Sequence, residues 1–230
     1  MKHHRYHWTL SFIAALGALT ATVTAADESS PIDIELPKPF FGGTPIDGAF
    51  GPNVDLPNYT DREPFLAPSG TKIISLGKPV TASAPPNVGT LKQVVDGDKS
   101  YLPKSVIELP EGIQWIQIDL ESRHNLYAII VWHFHEGIRI YFDFVVQLSD
   151  DPEFKKDVTT LYNTDRHNAL RLGVDKDNAY VEDYKGRLID TKGAAGRYLR
   201  IYGQGNNYNN FTHFIEVEVW GKVDKNLDRE

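Results

Sequence analysis

Four stretches of this 230-residue chain hold side chains whose type and spacing can do chemistry. The first is Asp96-Gly97-Asp98, two carboxylates on a turn that glycine permits. Calcium takes roughly six to eight oxygens at ~2.3–2.6 Å, and carboxylates and carbonyls on such a turn can supply part of that shell. A plain Asp-Gly turn is the alternative. The second stretch is Trp132 to Glu136, WHFHE. Residues two apart on a strand share a face, so His133 and His135 have the spacing of a metal-chelating pair. A metal needs at least a third ligand, and Arg139 and Ile140 stand where a carboxylate would complete the set. The alternative is a packed strand end with a buried, hydrogen-bonded histidine. The third stretch is Asn206 to Asn210, whose amides either meet a ligand or simply form a turn. The fourth is Glu216 with Glu218, on one strand face at roughly the ~5–9.5 Å that paired acids need for glycoside hydrolysis. Neighbouring acids on a strand are ordinary, however, and no serine elbow, phosphate loop or dinucleotide fingerprint occurs. The chain is expected to bind rather than to catalyse.

The elements that must position these groups are strands. Gly196 to Gly203 and His213 to Gly221 alternate apolar and polar residues as half-buried strands do. In the second, Ile215, Val217 and Val219 are expected on the core face, with Phe214, Glu216, Glu218 and Trp220 opposite. Trp115 to Leu120, Tyr127 to Phe134 and Asp143 to Ser149 repeat the pattern, separated by turn signals at Pro110, Gly112, Gly137, Asp150-Asp151-Pro152 and Gly173. Many strands with almost no helical period predict an all-β antiparallel sandwich, with function on its loops.

Residues 1–26 read as a signal peptide: Lys2 and Arg5 precede an apolar stretch from Trp8 to Val23, followed by small residues at Ala25 and Ala26. The alternative is an uncleaved anchor. Without the leader, 22 basic residues remain against 31 acidic ones, a net charge of −9. That balance argues against nucleic acid or an anionic membrane as partner. With no cysteine there is no disulfide and no thiolate chemistry. Residues 27–72 hold the eight prolines from Pro31 to Pro68, too many for a central strand, so they are a linker or a strap on the domain. Phe40, Phe41, Phe65 and Leu66 favour a strap. The folded domain is expected over residues 73–221, with a polar tail at 222–230. The polar interval Asn163 to Gly186 is either a functional loop or a decorated surface.

The phrases Ser75 to Ser83 (SLGKPVTAS), Val94 to Asp98 (VVDGD), Trp115 to Leu120, Phe144 to Phe154 (FVVQLSDDPEF), Gly196 to Gly203 and Ile215 to Gly221 (IEVEVWG) occur in that order. Together they resemble the coagulation-factor type C, or discoidin, domain of the galactose-binding-like superfamily, which includes family 32 carbohydrate-binding modules. The WHFHE and LSDDPEF phrases are also similar to those of a group of exported bacterial proteins. The resemblance implies a jelly-roll sandwich with ligand loops at one end. It implies a structural calcium held by Asp96, Asp98 and Glu216, with Ser100 replacing the threonine that relatives carry. It also implies a sugar site of imidazole, guanidinium, amide and aromatic groups, which His133, His135, Arg139, Tyr141, Asn207, Asn210 and His213 would supply. The expected partner is a glycan or glycoprotein, and the rival partner for the same loops is a protein, as in adhesion at the cell envelope.

Overall fold

The computed structural model describes residues 1, 28–39, 51–174 and 177–224. The leader read in residues 1–26, apart from Met1, lies outside them, as do Phe40, Phe41 and residues 225–230.

Thirteen strands and two 3-10 turns, Leu91–Val95 and Pro103–Ser105, make up the regular structure of the described residues. The strands are β1 (Ser29–Pro31), β2 (Val54–Asp55), β3 (Leu66–Pro68), β4 (Lys72–Ile73), β5 (Val80–Ala82), β6 (Ile107–Leu109), β7 (Gln114–Trp132), β8 (Phe144–Ser149), β9 (Thr159–Asn163), β10 (Ala179–Tyr180), β11 (Arg187–Gly203), β12 (Thr212–Phe214) and β13 (Glu216–Val223). The main sheet runs β4-β13-β7-β11-β8-β9, with β5 also on β7. The fold is an antiparallel β-sandwich, and the long strands β7 and β11 carry it from one layer to the other.

β7 joins two segments that the sequence shows as separate strands. Its first half pairs with β5 and its second half with β13, while β11 follows it along both halves. Between Asp119 and His124 the pairing slips, and Glu121 takes a positive φ of 67°. Such a bulge bends a strand and increases its twist. Both halves therefore face one core: Ile116, Ile118 and Leu120 meet Ile129, Val131, Val217, Val219, Leu199, Ile201 and Phe214.

The other face of the β13–β7 layer is buried too, which alternation alone does not reveal. Ala128, Ile130, Trp132, Ile215 and Trp220 pack against Ile32 and Ala67, with Ile34 and Phe65 beside them. β1 and β3 pair only with each other, and the Ile32 amide reaches the Phe65 carbonyl at 3.0 Å. A proline-rich chain cannot enter the middle of a sheet but can lie across it as a short ribbon. The strap changes the expected faces of the last strand. Ile215 belongs to the strap side and Phe214 to the core, because the phase shifts between β12 and β13. The strand also runs on to Val223, paired with His124.

The described part of the interval, residues 163–174 and 177–186, is built into the fold. Tyr180 reaches the main core, and Leu170 packs with Val145 and Tyr202. Asp165 accepts hydrogen bonds from the amides of Ala169 and Leu170 at 2.8 and 2.7 Å, fixing the turn locally.

Candidate functional site

The WHFHE segment turns inward at the end of β7. His133 is 1% exposed. Its ring stacks on Tyr141 at 4.3 Å, and Phe144 and Phe214 lie at 4.9 and 5.0 Å. Its Nδ1 stands 2.6 Å from the Glu182 carboxylate. His213 is buried between the Tyr141 hydroxyl, 3.1 Å from Nδ1, and Glu108, 3.2 Å from Nε2. Burial, then the charge of Arg139, pushes His213 down to about 4, so it is neutral at pH 7. His135 donates Nε2–H to the Lys99 carbonyl at 3.1 Å, and burial lowers its pKa as well. The sequence reading places His133, His135, Tyr141 and His213 among the ligand contacts, whereas the structure holds them behind the surface. All four are buried, because the aromatic residues at this strand end extend the core. Among the described residues no three His, Asp or Glu side chains gather as a metal site.

These buried rings support a surface made by two loops. The Arg139 guanidinium lies 4.7 Å from the Phe134 ring and 5.0 Å from the Tyr208 ring, and donates to the Asn206 side-chain oxygen at 3.2 Å. Tyr208 is 65% exposed. Asn207 bridges the two loops. It accepts from the Ile140 amide at 2.8 Å and donates to the Ile138 carbonyl at 3.0 Å, stapling the two loops together while the residue stays exposed. Asn206 shapes the turn, accepting from the Tyr208 amide at 2.9 Å and donating to the Phe211 carbonyl at 2.9 Å. Gly205 closes it at φ +69°, where a Cβ would come within 2.9 Å of Asn210 Cα. Of the expected sugar-binding residues, Asn207 and Asn210 are exposed and Arg139 is half-buried at this surface. Tyr208 and Phe134 complete it. The signal for Tyr208 was present in the sequence, as the one aromatic residue within an asparagine-rich turn.

The Asp96 turn meets the last strand as expected. The Gly97 amide donates to the Glu216 carboxylate at 2.9 Å. Glu216 is 1% exposed, and burial first, then Asp96 and Glu218, pushes its pKa up to about 8. Asp98 and Ser100 turn elsewhere. Asp98 accepts from the Ser100 amide at 3.0 Å and the Ser105 hydroxyl at 2.7 Å, and the Ser100 and Ser105 hydroxyls lie 2.8 Å apart. The donor chemistry at Asp96 and Glu216 thus fits a cation, whereas Asp98 and Ser100 are engaged with Ser105. Glu218 does not open onto a groove with Glu216. It takes Lys99 at 2.5 Å and the Trp220 indole N–H at 3.0 Å beneath the strap, and Lys99 also donates to the Glu35 carbonyl at 2.9 Å.

No family model matches the chain, and no curated protein matches it. Solved structures do. A family 89 glycoside hydrolase from Clostridium perfringens overlaps 66% of this chain with a TM-score of 0.50 and 21% identity. The chain spans only 15% of that enzyme's length. A chitosan-binding module from a Paenibacillus sp. IK-5 chitosanase/glucanase covers 65% of this chain and 99% of its own, at 19% identity and a TM-score of 0.44. A fucose-binding module from Streptococcus pneumoniae covers 64% and 96%, at 21% identity and a TM-score of 0.45. At such identities what is shared is the fold. In fold, the chain is similar to discoidin-type, galactose-binding-like sandwiches, among them the family 32 carbohydrate-binding modules.

Proposed function

We propose that this protein is an exported, non-catalytic module that binds carbohydrate through the loops carrying Arg139 and Tyr208. The observation that carries the reading is the stacked trio of Phe134, Arg139 and Tyr208. A tyrosine 65% exposed offers a face for the apolar side of a sugar ring. The guanidinium beside it and the exposed amide of Asn210 are donors for vicinal hydroxyls. Buried histidines behind them, locked by Tyr141, Glu108 and Glu182, hold the platform rigid. A few hydrogen bonds with one stacked ring give single-sugar affinities of ~mM to μM, which display in several copies would raise.

A calcium ion held with the Asp96 and Glu216 carboxylates belongs to the same proposal. Its support is the buried, charge-frustrated Glu216, and its role there is to fix the turn that precedes Lys99. Lys99 in turn contacts His135 and so connects the turn to the histidine segment.

The test is a broad glycan array probed with the mature chain, with calcium and again with chelator. A hit that Arg139→Ala and Tyr208→Ala each weaken tenfold or more, with melting temperatures within about 2 °C of the parent, is the expected result. Silence from folded protein would move the same loops to the rival role, recognition of a protein partner at the cell envelope.

A further inference from the structure

A second concave site lies apart from the Arg139–Tyr208 platform and shares no residue with it. It is a cleft of ≈ 210 Å³ walled on one side by Pro52 and Asn53 and on the other by Phe142, Asp143, Thr164 and His167. Drug-sized ligands occupy pockets of roughly 300–1,000 Å³, so this one suits a single ring. Two features make it more than a dimple. Phe142 exposes a large ring, 44% accessible, two residues before β8 begins. Asp143, only partly buried, takes part in no hydrogen bond or ion pair among the described residues, whereas Thr164 and Arg166 on the same wall are tied down. Thr164 holds the Phe142 carbonyl at 2.8 Å, and Arg166, on the same wall, donates to the Asn178 side chain at 2.7 Å.

Arg166 and His167 line the same cleft, but the Arg166 guanidinium is turned to the Asn178 side chain, which leaves Asp143 as the carboxylate of the lining. Burial first, and then the neighbouring Asp165, push its pKa up, with His167 offsetting part of the rise. Asp165 is fully buried and committed to the Ala169 and Leu170 amides, so it cannot move away. A carboxylate in that position gains from an entering cation, and the exposed Phe142 face beside it attracts the same charge. A neutral hydroxyl would leave both features unused.

We propose that this cleft takes a sugar residue bearing a free amine, its ammonium paired with Asp143 and its ring carried on Phe142, with Asn53 beside its hydroxyls. The inference rests on the carbohydrate reading above and narrows it to a hexosamine at a second subsite.

The experiment titrates the full chain with a glucosamine trisaccharide and with its fully N-acetylated counterpart, reading affinity by calorimetry and location by amide chemical shifts. The free-amine sugar should bind at least fivefold tighter, shift the amides of Phe142, Asp143 and Thr164, and lose its advantage as salt is raised. Asp143→Asn should erase the preference, and Phe142→Ala should weaken both sugars at the cleft, each variant retaining the parent's melting temperature. Equal binding of the two sugars, or a preference that survives Asp143→Asn, overturns the proposal. Shifts confined to residues 204–211 would overturn it while leaving the first site standing. If neither sugar perturbs either surface, and the glycan array is silent, both readings fall.

Discussion

At Glu216 burial and charge conflict most sharply. Its ordinary pKa of 4.5 rises to about 8, so the fold favours the protonated form. With a raised folded-state pKa, the stability it contributes is complete below about 4.5 and is lost as the pH climbs through 8. Calcium-free parent should therefore lose melting temperature relative to Glu216→Gln between those values, by several degrees, since one pKa unit is ~1.4 kcal/mol and 1 kcal/mol moves a domain of this size by ~2–4 °C. Added calcium at pH 8 should restore the parent and leave the variant unmoved. Thermal melts across that window settle it: parallel curves would remove the conflict, and a parent indifferent to calcium would remove the ion. His213 has the opposite sign. Its pKa falls from 6.5 to about 4, so its contribution is complete above 6.5 and is lost as the pH drops towards 4. His213→Gln should melt lower at pH 7 yet show a flatter acid limb.

At the scale of elements, the fold depends on close approaches along β7 and β11. Gly186, just before β11, has φ +66°, and a Cβ there would lie 2.7 Å from the Trp132 indole. Trp132 donates its indole N–H to the Tyr184 carbonyl at 2.9 Å, which fixes the ring in that position. Gly186→Ala thus combines backbone strain with overpacking, each costing on the order of 1–3 kcal/mol. Its melting temperature should fall by about 5 °C or more, with the strap as the first region to admit protease. A variant that melts with the parent would show that Trp132 can shift freely, and the strap face would then be softer than its packing indicates.

For the whole molecule, the strap decides what counts as the domain. The reading of the sequence starts the sandwich at residue 73, yet Ile32, Phe65 and Ala67 cover Ala128, Ile130, Trp132 and Trp220. Removing residues 28–68 would expose a contiguous apolar face containing two tryptophans, together with the buried Lys99–Glu218 pair. A chain beginning at residue 73 should therefore express as aggregate or bind a hydrophobic dye, whereas one beginning at residue 28 should not. Equal solubility and equal melting would show the strap to be dispensable.

The sequence by itself determined the strands, the sandwich and the two loops that hold Arg139 and the asparagines, whereas the meeting of the Asp96 turn with Glu216 is what the family resemblance implies. Alternation and turn chemistry act over a few residues, so a local pattern carries them. Tertiary structure alone decided which faces are wet. His133 looks like a ligand until Tyr141, Glu182 and Phe214 close around it, and His135 until it meets the Lys99 carbonyl. The second face of β13 looks solvated until a segment some 150 residues earlier lies across it. The Phe142–Asp143 cleft exists only where residues 51–54 meet residues 142–167. Burial depends on what arrives from far along the chain, and no window of neighbouring residues contains that information.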